Sequence, residues 1–197
     1  MQRRDVVHLL AGAPLAGAFE WTALDIERAA RALADFRRRG GQYQPTFFTP
    51  HEWETVRLLV DWIIPADERS GGATDAGVPE FMDFIVQDQA GRQTAMRGGL
   101  AWLDTECRDR FGRVSFVAAG DVERRALLDD IAWPARARPE HSHGVAFFNS
   151  FRDLTASGFW SSKMGVEDLR YLGNTAVPDW NGCPDEQLRK LGVSYGD

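Results

Sequence analysis

The apolar residues of this chain recur at helical spacing, and no segment of useful length alternates with the two-residue period of a strand. One such stripe, which a pair of glycines at 40–41 ends, consists of Leu24, Ala29, Leu33 and Phe36. Side chains spaced in this way bury their apolar face only against other helices. We therefore predict an all-α single domain of six or seven helices, followed by a long irregular, aromatic-rich C-terminal segment.

Start and stop signals divide the helices. Thr49-Pro50-His51-Glu52 forms a capping box with proline at the first helical position, and Pro65 ends the helix that it opens. Val78-Pro79-Glu80 begins the next helix, and 66–77 is predicted to be a polar loop. The same signals predict helices over Trp21–Arg39, Met96–Arg110, Val122–Trp133 (with Asp121 as N-cap), Val145–Thr155 and Asp185–Leu191.

The C-terminal segment is rich in aromatic residues and turn formers. Residues 159–184 lack a clean period, and they are too aromatic to be disordered. Long ordered loops of this kind are usually functional, and large aromatic side chains carry much of the binding energy of protein interfaces. We predict contacts with a partner at Phe159, Trp160, Tyr171, Asn174 and Trp180. The alternative is that the segment packs on its own helices.

The N-terminus has the features of an export signal. Arg3-Arg4 precedes a weakly apolar run over 6–19, and Ala16-Gly17-Ala18 offers small residues for a signal peptidase. The run is too short to span a bilayer. We predict a twin-arginine-type leader over 1–19 and a periplasmic location, with a plain amphipathic helix as the alternative. An N-terminal helix and linker over 20–41 and a helical domain over 42–197 follow.

Charge and cysteine content narrow the function. A net charge of −6 disfavours binding to nucleic acid. Cys107 and Cys183 cannot form a zinc site alone, and no CxxCH haem attachment is present. One disulfide and two free thiols both remain open.

Each candidate for catalysis has a plainer structural interpretation. Glu140-His141-Ser142-His143 holds one Glu-x-x-His element, whereas a di-iron bundle needs two, with two further helical glutamates. Asp67 and Glu68 follow a helix stop and favour a turn role, and His51 is expected to be exposed or capping. No dinucleotide fingerprint, phosphate loop or nucleophile elbow occurs. We predict no catalytic, cofactor-binding or metal-binding residue in this chain.

Several short blocks occur in a fixed order from about Phe48 to Gly196. They are Ile63–Glu68, Ala73–Phe81, Gly99–Asp104, Phe147–Thr155, Gly158–Phe159, Gly173–Asn174 and Trp180–Pro184. Together these blocks resemble the gluconate 2-dehydrogenase subunit 3 family. The last block is similar to the branch of that family that accompanies glucoside 3-dehydrogenases.

The resemblance implies a partner. It implies a small subunit paired with a large flavoprotein of the glucose-methanol-choline type, which holds FAD and the catalytic bases, and a c-type cytochrome as electron acceptor. The small subunit is then expected to support the folding of the large one and to supply the export signal for both. Two alternatives stay open, namely an independent periplasmic binding or scaffold module and a metal-dependent helical enzyme.

Overall fold

A computed structural model of the chain describes residues 21–40, 43–170 and 182–195. Within these ranges the regular structure is helical and no strand occurs, which confirms the predicted all-α fold. We number the helices α1 Ala23–Arg39, α2 Pro50–Ile63, α3 Ala73–Ala76, α4 Val78–Asp88, α5 Ala90–Phe111, α6 Asp121–Ile131, α7 Ser142–Trp160, α8 Lys163–Asp168 and α9 Asp185–Leu191, with a 3-10 turn over Pro139–His141. Seven of these helices correspond to the six or seven that were predicted. The other two, α3 and α8, are short and were not predicted.

Reciprocal side-chain caps open the first two helices. The Thr49 hydroxyl accepts from the Glu52 amide at 3.3 Å, and Glu52 Oε2 accepts from the Thr49 amide at 2.8 Å. This confirms the capping box at the start of α2. Thr22 and Asp25 form the same arrangement, so α1 begins at Ala23 rather than at the predicted Trp21.

The predicted loop over 66–77 is wrong at its end, because residues 73–76 form the short helix α3. Ala73 and Ala76 are both buried. The Thr74 amide donates to Asp61 Oδ1 at 2.8 Å, which satisfies a free amide of the first turn. Contacts with residues distant along the chain therefore decide the conformation here.

Three other helices differ from their predicted boundaries. Gly120 is the N-cap of α6 in place of Asp121, and its amide donates to Glu123 Oε2 at 2.7 Å. Helix α5 begins at Ala90, six residues early, because its polar first turn shows no apolar stripe. Helix α7 extends beyond 145–155 at both ends, to Ser142 and Trp160.

Helix α7 lies at the centre of the molecule and contacts helices from both halves of the chain. The largest fully buried rings, most of them on or against it, are Phe81, Phe116, Phe147, Phe151 and Phe159. Helix α1 packs mainly on α4 and also reaches α7. The Trp21 indole N–H donates to the Ser150 hydroxyl at 3.0 Å. The segment predicted as an N-terminal helix and linker therefore shares the core of the domain.

Glycines allow α5 and α7 to approach each other closely. The Phe147 ring lies directly against Gly99, and the Trp102 ring lies directly against Gly144. A Cβ at either glycine would overlap the facing ring. Because Gly99 and Trp102 lie in one of the sequence blocks described above, that block has a packing role.

The buried carboxylate of Asp83 on α4 fixes the loop before α2. It accepts from the Tyr43 hydroxyl at 2.7 Å, from the Thr46 amide and hydroxyl at 2.7 and 2.9 Å, and from the Phe47 and Phe48 amides at 3.0 Å each. Burial, together with the hydrogen bond to Asp83, raises the pKa of Tyr43. The phenol therefore remains a hydrogen-bond donor over the physiological pH range.

Candidate partner interface

The C-terminal end of α7 places two adjacent aromatic residues in different environments. Gly158 lies on the Phe81 ring, where a Cβ would come within 2.7 Å of Phe81 Cδ1. Phe159 is 1% exposed, and its ring meets that of Trp160 edge to face at 4.9 Å. Trp160 itself is 39% exposed. The close contact at Gly158 thus fixes α7 so that Phe159 enters the core and Trp160 stays at the surface.

Helix α8 continues this surface and is held against the loop that follows α2. The Ser162 hydroxyl caps α8 by accepting from the Gly165 amide at 3.0 Å. The Arg69 guanidinium donates to the Asp168 carbonyl at 2.6 Å and pairs with its carboxylate at 2.9 Å. Leu169, the next residue, is 56% exposed. The Arg69–Asp168 contacts thus fix the end of α8, where Leu169 is an exposed apolar side chain.

The loop that Arg69 belongs to is ordered by Asp67. Asp67 Oδ1 accepts from the Arg69 amide at 2.9 Å and from the Ser70 amide at 3.0 Å. These backbone hydrogen bonds lower the pKa of Asp67, the one from Arg69 most strongly. The turn role expected of Asp67 is confirmed.

The C-terminal helix α9 has no buried residue. Leu191 is 74% exposed, and Val193 and Tyr195 beyond it are 55% and 60% exposed. The Cys183 amide donates to the Tyr195 hydroxyl at 2.7 Å, so the segment closes on itself across α9. It presents apolar side chains to solvent instead of adding them to the core.

The predicted contact residues have different outcomes. Phe159 is a core residue, because its ring is enclosed by the chain's own helices and offers no surface to a partner. Trp160 is exposed at the end of α7. Other residues of the prediction lie outside the described ranges: Tyr171, Asn174, Trp180, and Arg3 and Arg4 of the export signal.

Sequence reasoning missed four exposed apolar residues at this end of the chain. They are Leu169, Leu191, Val193 and Tyr195. The available signal was the isolation of these side chains among charged and small residues. Asp185–Leu191 has only two leucines among charged and polar residues, which is too little apolar surface to hold a helix on a core.

The Glu140–His143 segment forms the 3-10 turn and the start of α7 rather than the predicted loop. Arg138 pairs with Glu140 at 2.9 Å, and its guanidinium lies 3.1 Å from Nε2 of the buried His141. Among the residues that the structure describes, no three or more His, Cys, Asp or Glu side chains lie together as metal ligands would.

His51 and the cysteines also have defined surroundings. His51 is exposed, as predicted, and its Nε2 lies 2.6 Å from Asp104 Oδ2. Asp104 Oδ1 accepts from the Phe116 amide at 2.8 Å, so this pair joins α2, α5 and the loop before α6. Cys107 and Cys183 are both free thiols. Burial raises the pKa of the Cys107 thiol to about 11, which keeps it protonated.

The described part of the chain is a small all-α domain with exposed apolar side chains near its C-terminus. The family model described as gluconate 2-dehydrogenase subunit 3 matches residues 50–178. The chain belongs to this family. No curated protein and no solved structure matches it.

Membership of this family implies an accessory role beside a larger dehydrogenase subunit in an oxidoreductase complex. The matched range contains the sequence blocks between Ile63 and Asn174, and it ends before Trp180–Pro184. No helix in the described ranges has the length and apolar character needed to cross a membrane.

Proposed function

We propose that this chain is the non-catalytic small subunit of a flavin-dependent sugar or glucoside 3-dehydrogenase complex. Its partner is a large subunit of the glucose-methanol-choline type, which holds FAD and performs the oxidation of a CH–OH group. The small subunit supports the folding and stability of the large one and carries the twin-arginine leader for export of both to the periplasm. A c-type cytochrome receives the electrons. Family membership is the observation that carries this proposal.

The surface near the C-terminus supports a role in binding a protein. Trp160, Leu169 and the exposed apolar residues of 191–195 lie outside a core that already buries five phenylalanine rings completely. Tryptophan and tyrosine are enriched among the residues that dominate interface energetics. We assign Trp160, Leu169 and Tyr195 to the contact with the flavoprotein, and we no longer include the buried Phe159.

Co-expression with a large flavoprotein subunit of the glucose-methanol-choline type tests the supporting role. The chain is expected to raise the soluble, FAD-loaded yield of the large subunit and its specific activity on the sugar. The full-length chain with Arg3 and Arg4 both changed to lysine is the control for export, since it should keep the complex but leave it in the cytoplasm. If the large subunit folds, binds FAD and oxidises sugar equally well alone, the supporting role is rejected.

A further inference from the structure

Helix α6 buries one side and leaves the opposite side in solvent. The buried residues are Leu127, Leu128 and Ile131. An α-helix turns once in about 3.6 residues, so residues spaced by four, three and four share one side. The residues opposite the buried ones are Val122, Ala126, Asp129 and Trp133. Ala132 keeps right-handed helical backbone angles, which continues the line to Trp133 just past the helix.

Three of these four outward residues are apolar. Val122 is 83% exposed and Trp133 is 59% exposed, at opposite ends of α6. The solvent side of a surface helix is ordinarily polar, so this line is an exposed apolar surface suited to contact with a partner. Val114, in the loop before α6, is also exposed, at 77%.

Two opposite charges lie one helical turn apart on this side of α6, Asp129 within the line and Arg125 on one flank of it. Arg125 and Asp129 are both exposed. The Arg125 guanidinium lies 5.7 Å from the centre of the Trp62 ring. Neither side chain has an ion-pair partner among the residues that the structure describes. Their opposite signs and their spacing make this side of α6 complementary to itself.

We propose that this side of α6 binds the same side of α6 in a second copy of the chain. The two helices lie antiparallel about a two-fold axis. Reversing α6 about its midpoint exchanges position 122 with 133 and position 126 with 129. Val122 therefore packs on Trp133 of the second copy, and the reverse contact repeats it.

The two-fold axis places each flank of α6 against the same flank of α6 in the second copy. The charges on that flank therefore reinforce the arrangement. Arg125 comes within one residue of Asp129 of the second copy, about 1.5 Å along the helix axis, and Asp129 has the same relation to Arg125. A single patch thus provides both halves of two ion pairs and two apolar contacts, as a two-fold interface requires. The inference goes beyond the proposed function, since it pairs two small subunits and so brings two complexes together.

Sedimentation of the full-length chain, without the flavoprotein, tests the proposal over a concentration series. We expect a monomer–dimer equilibrium. Arg125→Asp and Asp129→Arg each place like charges together and should raise the dimer Kd roughly tenfold. The double variant R125D/D129R restores opposite charges and should return the Kd to within roughly threefold of the original. Arg152→Asp, on an exposed part of α7, is the matched control and should leave the Kd unchanged.

Two results would overturn the proposal. The first is a chain that stays monomeric at every concentration, and the second is a double variant that dimerises as poorly as the single ones. Because the flavoprotein is absent from the sedimentation experiment, its result is independent of the proposed function.

Discussion

Helices α7 and α9 show how differently this chain uses its apolar residues. Helix α7 buries nine residues, and glycines at its start and end admit the rings of Trp102 and Phe81. Helix α9 buries none, and its last residue, Leu191, is 74% exposed. Among the described residues, the core is therefore formed by segments that precede α9. The apolar residues at the C-terminal end therefore contribute little to the chain's own stability and remain available for contact with another protein.

Among interior residues, substitution of Asp83 should cause the largest loss of stability. Asp83→Ala leaves the buried Phe47 and Phe48 amides without an acceptor, and we expect it to lower the free energy of unfolding by about 3 to 5 kcal/mol. Asp88→Ala, on the exposed side of the same helix, should change it by less than about 0.5 kcal/mol. Chemical denaturation measures both. A small effect at Asp83 would show that another group or water satisfies these amides.

Two adjacent residues at the end of α7 provide the sharpest contrast. Phe159→Ala opens a cavity in the core and should cost about 3 to 5 kcal/mol in the stability of the free chain. Trp160→Ala should cost only about 1 kcal/mol there, mostly through the lost edge-to-face contact.

For binding to the flavoprotein, we expect the exposed Trp160 to matter more than the buried Phe159. Trp160→Ala should weaken the complex with the flavoprotein by about 2 kcal/mol, or about 30-fold in Kd. Titration of the purified large subunit measures this. An unchanged Kd for Trp160→Ala would remove this residue from the interface and leave it as part of the chain's own surface.

A smaller loss of stability is expected at low pH, through protonation of Glu123 at the start of α6. The hydrogen bond with Arg113, and then that with the Gly120 amide, lower the pKa of Glu123. Because the folded state binds the proton less tightly than the unfolded state, the stabilisation is present above the ordinary glutamate pKa and is lost as pH falls through the folded one.

The substitution Glu123→Gln isolates this contribution. The difference in Tm between the original chain and this variant should be present at neutral pH and should disappear in acid. A difference that persists at low pH would mean that packing, and not the charge of Glu123, stabilises the first turn.

The fold was largely predictable because its helices carry local signals. The capping box at Thr49 and the stop at Pro65 depend on neighbouring residues alone, and both were read correctly. Helix α3 was missed because Asp61, a residue of another helix, satisfies its first turn. The N-cap of α6 was misplaced by one residue because Gly120 has no side chain to reveal it.

The partner surface was less predictable. Phe159 and Trp160 are adjacent and equally aromatic, so sequence alone could not distinguish the buried ring from the exposed one. That distinction depends on the close contact between Gly158 and Phe81, which are distant along the chain. Leu169 and Tyr195 gave no periodic signal, since neither belongs to an apolar stripe.

Purification of the tagged full-length chain, co-expressed with the flavoprotein, is the most direct test of the proposed role as accessory subunit. We expect a yellow eluate in which the two subunits are present in equal amounts, with one FAD for each large subunit and activity on a sugar. A colourless eluate that contains only this chain, with the flavoprotein folded and FAD-loaded in the unbound fraction, would contradict it.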